Sequence, residues 1–520
     1  MERQAPRQVM YENQLPLAIE SKSTRRLFFP EGGSEYGPTG NGSRPNIIRI
    51  PINADSLLDV QHSFLQFKLT NTDGTKSIAP DFGVPFIRRL RIESAGTTLE
   101  DIEEYGKLYG GVLFPSQASV GAVQDSSITT SGVGDLGSSL SAIGAIAAPA
   151  TAVTNAEAAA IVAGAGGEAA FNAKIDAAIN RATADVRTKL NARTITGAST
   201  LSGVKHSIET TLGAGKTATY NVPLVSALMN MDKYLPLVMM NAGLTLELEL
   251  DVANSIGVTT ADPAAGFAAA DAEWKISDVR YVAHLIDLQR DFYDKMRMVM
   301  EGSGGVLQLA GSTFRHYGGT SVAADQEMVV NIPSRVKSIK SVFFTQQDNS
   351  HKAANNRFGV SESIPNNISE YQFRIGSVLY PSTSVKLDGV AAGAGAGYTN
   401  KGEAYSELRK AFGNLGDYSE GGVLLNKDTY FAGTPSTKTS TAFAANGQVI
   451  TPSLCPLGLD FEAFPKTALE SGVNTADRSL PMSLEIKKHS GAGLDVNVDV
   501  WVMCDAIFYV NLDGSVSVSI

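Results

Sequence analysis

The sequence predicts an all-β chain built as two sandwich units in tandem. Three observations carry this. Alternating apolar and polar runs of strand length recur from end to end, helical periodicity is confined to short stretches, and the order of elements in the first half returns in the second. The 520 residues suffice for two such units with a large core.

Composition narrows the function. Apolar residues make up 43% and charged residues only 18%, and 43 basic against 53 acidic residues leave a net charge of −10. That argues against a general nucleic-acid-binding surface, while leaving room for a local basic patch. Two cysteines, Cys455 and Cys504, are too few for a disulfide framework or a zinc knuckle. The start, "MERQAPRQVMYENQLPLAIESKS", lacks the apolar core of a signal peptide, and no run of about 18 apolar residues exists. The expectation is a soluble chain made inside the cell and not secreted.

Residues 1–45 are polar and rich in Gly, Pro and Arg, which reads as an extended arm rather than a packed element. Within it Arg25, Arg26, Leu27, Phe28 and Phe29 form a basic and aromatic cluster. Exposed clusters of that kind mark contact sites, so these five are the candidate assembly residues. Strand-like "NIIRIPI", "SFLQFKLTN" and "PFIRRLRIES" follow; in the second, Leu65, Phe67 and Leu69 alternate with Gln66 and Lys68. "TTLEDIEEYGKLYGG" then predicts a short helix. Thr97 and Glu100 stand at capping-box spacing, Leu99, Ile102, Tyr105 and Tyr109 approximate a stripe, and Gly110–Gly111 supplies a stop.

From about 115 to 205 the chain turns into an Ala/Gly/Ser-rich insertion with little to pack. One amphipathic helix is expected inside it, on Phe171, Ile175, Ile179, Ala182, Val186 and Leu190. Sheet character returns with "ATYNVPLVSALMN". In "LTLELELD", Leu244, Leu246, Leu248 and Leu250 share one parity, and Thr245, Glu247, Glu249 and Asp251 share the other. A strand sends these to opposite faces, leucines inward and carboxylates outward. "WKISDVRYVAHLIDL" follows, and "MEGSGG" near residue 300 reads as a hinge.

The second half repeats the pattern. "GVLQLAG", "EMVVNIP", "SIKSVFFTQQ" and "EYQFRIGSVLYP" precede a helix in "GEAYSELRKAFG", where Tyr405, Leu408 and Phe412 share a face. "LPMSLEIKK", "LDVNVDVWVMCDAIFYVNL" and "SVSVSI" close the chain. "LTLELELD" corresponds in position to "MSLEIKK", and "ISDVRYVAHLIDL" to "VNVDVWVMCDAIFYVNL". The implied division is an arm over 1–45, a first unit over 46–300 and a second over 301–520.

Motifs for chemistry fall away one by one. "GKT" at Gly215–Thr217 resembles the end of a phosphate-binding loop, but Thr210 stands where that loop needs glycine, and strand rather than helix follows. "GAGAGY" lacks the last glycine of a dinucleotide fingerprint. The six histidines are dispersed, without metal-ligand spacing, and neither cysteine has an adjacent base. Glu247, Glu249 and Asp251 sit side by side on one strand face, whereas glycosidase carboxylates face each other across a sugar. The expectation is no catalytic, cofactor-binding or metal-binding residue, and no small-molecule substrate.

Three stretches, "PFIRRLRIESAGTTLEDIEEYGKLYGG", "YNVPLVSALMNMDKYLPLVMMNAGLTLELELD" and "ISDVRYVAHLIDLQRDFYDKM", resemble the double jelly-roll major capsid proteins of icosahedral double-stranded DNA viruses. The flavour is that of Polinton-like viruses, virophages and nucleocytoplasmic large DNA viruses. The resemblance covers residues 45 to 115 and 218 to 300, and the second half through its architecture. The long 115–205 insertion departs from the pattern in a region where such loops vary.

The resemblance implies two tandem eight-stranded jelly-roll sandwiches with short inserted helices. It also implies a pseudo-hexagonal homotrimer in a virion shell, whose partners are neighbouring capsomers, penton and minor capsid proteins. The N-terminal arm is expected on the inner side of such a shell, where its arginines suit a carboxylate-bearing neighbour, an inner membrane or packaged DNA. Two other classes stay open: a jelly-roll carbohydrate-binding protein, which would need an aromatic-lined sheet although only Trp274 and Trp501 are present, and a trimeric tail or fibre protein.

Overall fold

The computed structural model describes residues 21–40, 44–72, 77–79, 84, 86–117, 215–231, 233–253, 257–259, 274–302, 304–349, 363–389, 398–413, 425, 430–431, 454–463, 471–477, 480–489 and 494–520. The helix expected around Phe171–Leu190 and all but the first residues of the 115–205 insertion lie outside this set.

Sixteen of the described strands form the common framework of two sandwiches. The first uses β1 (Ser21–Phe28), β2 (Ile47–Ile52), β3 (Leu57–Asn71), β4 (Ile87–Ser94), β5 (Thr97–Glu103), β6 (Thr217–Val222), β7 (Leu244–Leu250) and β8 (Trp274–Leu288). The second uses β9 (Val306–Ser321), β10 (Glu327–Ile332), β11 (Ile339–Asp348), β12 (Ile368–Ile375), β13 (Val378–Lys386), β14 (Leu457–Asp460), β15 (Met482–Lys488) and β16 (Val496–Asn511).

In the first sandwich one sheet runs β1-β8-β3-β6 and the other β2-β7-β4-β5. In the second they run β9-β16-β11-β14 and β10-β15-β12-β13, so each strand takes the place of the strand numbered eight lower. All these pairings are antiparallel. The repeat of element order seen in the sequence is thus a repeat of topology. Connections within each sheet pair cross from one layer to the other, so each inner face buries the apolar parity of its strands.

The leucines of β7 illustrate this: Leu244, Leu246, Leu248 and Leu250 are all buried. Between the layers of the first sandwich, Phe67 stacks on Tyr220 at 5.1 Å and meets Phe86 edge-on at 5.2 Å. In the second, Phe344 meets Tyr371 edge-on at 5.2 Å. Trp274 and Trp501 are both fully withdrawn from solvent.

Two expectations are corrected. Thr97–Glu103 is a strand, and helical turns begin only at Tyr105 and continue to Gln117. The two-residue link Ala95–Gly96, with φ of 51° and 78°, closes a tight hairpin with the backbone twist that a strand pair favours, and so commits Thr97–Glu103 to pairing with β4. Glu100 does not cap a helix; it accepts N–H groups of Ala227 and Leu228. Gly110 and Gly111 lie within a π-helical turn rather than ending the helix.

The segment read as a free arm also contains β1, paired with β8 along all eight residues. Its side chains gave little sign of this. Only Phe28 is buried on its inner parity, while Arg26 is exposed and lies over the Phe28 ring at 5.1 Å. An edge strand is held chiefly by its backbone ladder, which hydrophobic alternation does not report.

The helix expected in the second half is present as α2 (Gly402–Ala411), with Leu408 buried and Phe412, just past its end, stacked on Phe343 at 4.6 Å. An unforeseen helix, α1 (Arg290–Gly302), precedes Gly304 and Gly305, whose φ of 88° and 84° suits them to the turn into β9. No described helix is long and apolar enough to cross a membrane.

Candidate functional site

Polar chemistry concentrates where the two sandwiches meet. The hairpin β4–β5 and the helical turns after it project Glu100, Glu103, Glu104 and Lys107 from the first sandwich. β9 and β16 bring Thr313, His316, Asp499 and Trp501 from the second. Lys107 Nζ donates to Asp499 Oδ2 at 2.8 Å and pairs with Glu104 at 2.9 Å. His316 Nε2 lies 2.9 Å from Asp499 Oδ1, and Trp501 Nε1 donates to the Glu103 carbonyl at 3.4 Å. Deeper in, Glu100 Oε1 accepts from the Ala227 N–H at 2.8 Å and from the Thr313 hydroxyl at 2.7 Å.

The halves approach closely here. A Cβ on Gly311 would come within 3.0 Å of the Ala227 carbonyl, and one on Gly514, at φ 79°, within 2.5 Å of the Asn241 side chain. The Leu425 N–H donates to the Pro115 carbonyl at 3.2 Å, a further bond between the two halves.

The charges here are strongly coupled. Burial alone would raise Asp499, but the Lys107 charge and the His316 bond outweigh it and hold the carboxyl well below the usual range. Burial works against charge on Lys107 too, and Asp499 and Glu104 reverse it, holding the ammonium above its ordinary value. Glu100 goes the other way: desolvation raises it, only partly countered by its hydrogen bonds. Such an arrangement is a structural clasp, since Lys107, Glu104, His316 and Asp499 are each committed to a partner within the seam.

None of these residues was expected at a seam: Glu100 was read as a helix cap, and Trp501 was weighed only as one of two tryptophans. A signal existed in hindsight for two of them: Asp499 interrupts the apolar run "VDVWVM", and Glu100 sits between Leu99 and Ile102.

The candidate assembly residues fall in and beside β1. Arg25 and Arg26 are exposed, Leu27 is half-buried, Phe28 is in the core and Phe29 is 59% exposed. The carboxylates of β7 are neutralised in place. Glu247 accepts from Arg49 Nε at 2.6 Å with Arg91 at 3.7 Å, and Glu249 lies 3.8 Å from Arg88. Glu247 is buried between its arginines rather than open to solvent. The register makes this a repeated feature, because Glu485 of β15 occupies the matching position and pairs with Arg374 at 2.6 Å.

Burial pushes the Cys504 thiol up to about 12, which leaves it un-ionised near neutral pH. Cys455 is likewise buried and is not in a disulfide. His62 and His284, distant in sequence, approach to 6.3 Å between ring centroids. Among the described residues no cluster of His, Cys, Asp and Glu is placed to hold a metal ion.

No protein-family model matches the chain, and no curated protein matches it in sequence. Solved structures do match. VP54 of PBCV-1, as fitted into a cryo-EM reconstruction of the virophage Sputnik, aligns at TM-score 0.50 and 9% identity, covering 98% of this chain and 99% of that one. A chain of the Sputnik virophage aligns at TM-score 0.50 and 9% identity over 100% and 93%. The mavirus major capsid protein aligns at TM-score 0.48 and 10% identity over 100% and 95%.

The fold is the double jelly roll of viral major capsid proteins. At such identities it is the arrangement of strands that is shared, and the likeness runs the length of both chains. Each half of this double jelly roll therefore has its counterpart, and the seam between them lies within the shared body.

Proposed function

We propose that this chain is the major capsid protein of an icosahedral double-stranded DNA virus, acting as a structural subunit of the virion shell rather than as an enzyme. The observation that carries the reading is the pair of topologically identical jelly rolls, clasped by a buried ionic seam and alike over their whole length to capsid chains. Carboxylates committed to arginines and a Cys504 thiol held neutral by burial agree with a structural role.

In the finer form of the proposal, three copies close into a pseudo-hexameric homotrimer, each chain contributing two of six wall units. Neighbouring capsomers, penton and minor capsid proteins complete the shell. Residues 1–45 belong to its inner side, where Arg25, Arg26 and Phe29 contribute to assembly and the arm meets an inner membrane or packaged DNA. Light scattering and electron microscopy of the purified protein test the reading: a trimer with pseudo-hexagonal outline is expected, and a monomer at micromolar concentration and physiological salt would refute it.

A further inference from the structure

The sheets β2-β7-β4-β5 and β10-β15-β12-β13 each begin on an edge strand of six residues. β2 pairs with β7 and β10 with β15, so each has one side left over. The two jelly rolls treat that side differently.

Register shows which backbone groups face it. In an antiparallel ladder, residues that exchange hydrogen bonds with the partner strand alternate with residues that direct theirs to the other side. The Leu250 N–H donates to the Asn46 carbonyl, so Ile48, Ile50 and Ile52 bond to β7, and Ile47, Arg49 and Pro51 face outward. The Lys488 N–H donates to the Gln326 carbonyl in the same way, so Met328, Val330 and Ile332 bond to β15. Glu327, Val329 and Asn331 then direct their N–H and C=O groups to the edge.

The first jelly roll closes its edge. Pro51 has no N–H to offer, and the Arg49 carbonyl accepts the Glu31 N–H at 2.8 Å. The second does neither. Asn331 is the fifth residue of its strand, as Pro51 is of β2, and no described residue pairs with the outward groups of β10. The side chains of Glu327, Val329 and Asn331 are exposed too, Val329 to 60%. A regular edge strand without proline, lysine or bulge is a template for another strand.

The segment is complementary to itself. Turned about a two-fold axis at Val329, a second copy sets Val329 on Val329 and Glu327 on Asn331. Every outward N–H and C=O of the strand then finds a partner, and no like charges oppose each other. Charge along the chain runs from Asp325 and Glu327 to Arg335 and Lys337, all exposed. The antiparallel arrangement brings the acidic end of one copy to the basic end of the other. Parallel addition would set like against like.

We propose that β10 pairs with β10 of a second copy, antiparallel about Val329, so that two second jelly rolls share one continuous sheet. An isologous contact closes at two copies, so it has no place inside a three-fold ring. It goes beyond the capsid reading: where three copies make a capsomer, this contact joins one capsomer to the next.

The test uses the full chain carrying Val329→Cys, oxidised with copper phenanthroline; both native cysteines are buried. Opposed residues of a bonded pair stand about 5.5 Å apart at Cα, within the span of a disulfide. A disulfide-linked pair of chains is expected. Glu327→Cys and Asn331→Cys should trap little alone but should link when both are present in one chain, because the two-fold sets one against the other. Adding Asn331→Pro to Val329→Cys, which copies Pro51, should abolish trapping at an unchanged melting temperature, since that N–H takes no part in the ladder with β15. Equal trapping by all three single cysteine variants, or none by any, overturns the pairing. Protection of the Val329 amide from hydrogen exchange without a disulfide would place another segment on the edge, and overturns it too. Either result in a protein that sizes as a trimer leaves the capsid reading standing.

Discussion

Lys107 and Asp499, 392 residues apart in the chain, meet at 2.8 Å across the seam with side chains 3% and 8% exposed. Removing either partner leaves the other buried charge with one remaining partner, Glu104 for Lys107 and His316 for Asp499. Lys107→Met is therefore expected to destabilise the protein by about 3–5 kcal/mol, the range for a broken buried pair. The double variant with Asp499→Asn should recover part of that loss. Chemical denaturation of the four proteins of the cycle measures it, and additive losses would show that the two residues are not coupled.

The seam carboxylates predict opposite pH dependences. Asp499 is held below its ordinary value, so its contribution is present above about pH 4, the unfolded value, and is lost as pH falls below it. Asp499→Asn should flatten the acid limb of the stability curve.

Glu100 is held above its ordinary value, chiefly by burial, so the folded state binds the extra proton. Stability then falls as pH rises from about 4.3 to the folded value and is level beyond it. Melting curves of Glu100→Gln should lack that decline; a wild-type curve that rises with pH over the same window would contradict the assignment.

Trp274 and Trp501 are equally buried but in different places, one between the layers of the first jelly roll and one at the seam. Either change to alanine should cost about 3–5 kcal/mol. Only Trp501→Ala should also expose the Glu103 carbonyl and make the seam susceptible to limited proteolysis, with Trp274→Ala as the control.

The N-terminal segment should respond to truncation in two stages. Deleting residues 1–20 leaves β1 in place, and the expected product folds and forms trimers but assembles shells poorly. Deleting residues 1–43 strips the edge from β8 and removes Phe28 and Tyr36 from the core, so its melting temperature should fall by several degrees. Equal melting temperatures for the two would show that β1 adds nothing to the fold.

Replacing residues 120–200 by a short Gly/Ser linker should leave the cooperative melt intact, because loop-closure entropy grows only logarithmically with length. Loss of solubility or cooperativity would place that segment in the core.

Much of the fold was legible because its strands are amphipathic. "LTLELEL" and "MSLEI" state their parity outright, and their match across the halves anticipates the matching places of β7 and β15. Tyr405, Leu408 and Phe412 likewise announce α2 by their spacing. Thr97–Glu103 was misread because Leu99 and Ile102 fit a helical stripe as well as a strand, and the Ala95–Gly96 turn that decides between them is a backbone event. The cluster from Arg25 to Phe29 was read as a contact site without its seat on a sheet edge, since β1 has almost no buried side chains to betray it.

Sequence by itself determined the class of fold, the doubling of its architecture and the parity of most strands, because burying one face of a strand writes a period of two into the residues. Tertiary structure alone decided which charges are paired and which faces are covered. Asp278 and Asp499 lie on strands that take the same place in the two jelly rolls, yet one is exposed beside Lys68 and the other is locked between Lys107 and His316. The difference lies in the neighbour that packs against each, and that neighbour is brought from far along the chain by the topology rather than by any local pattern.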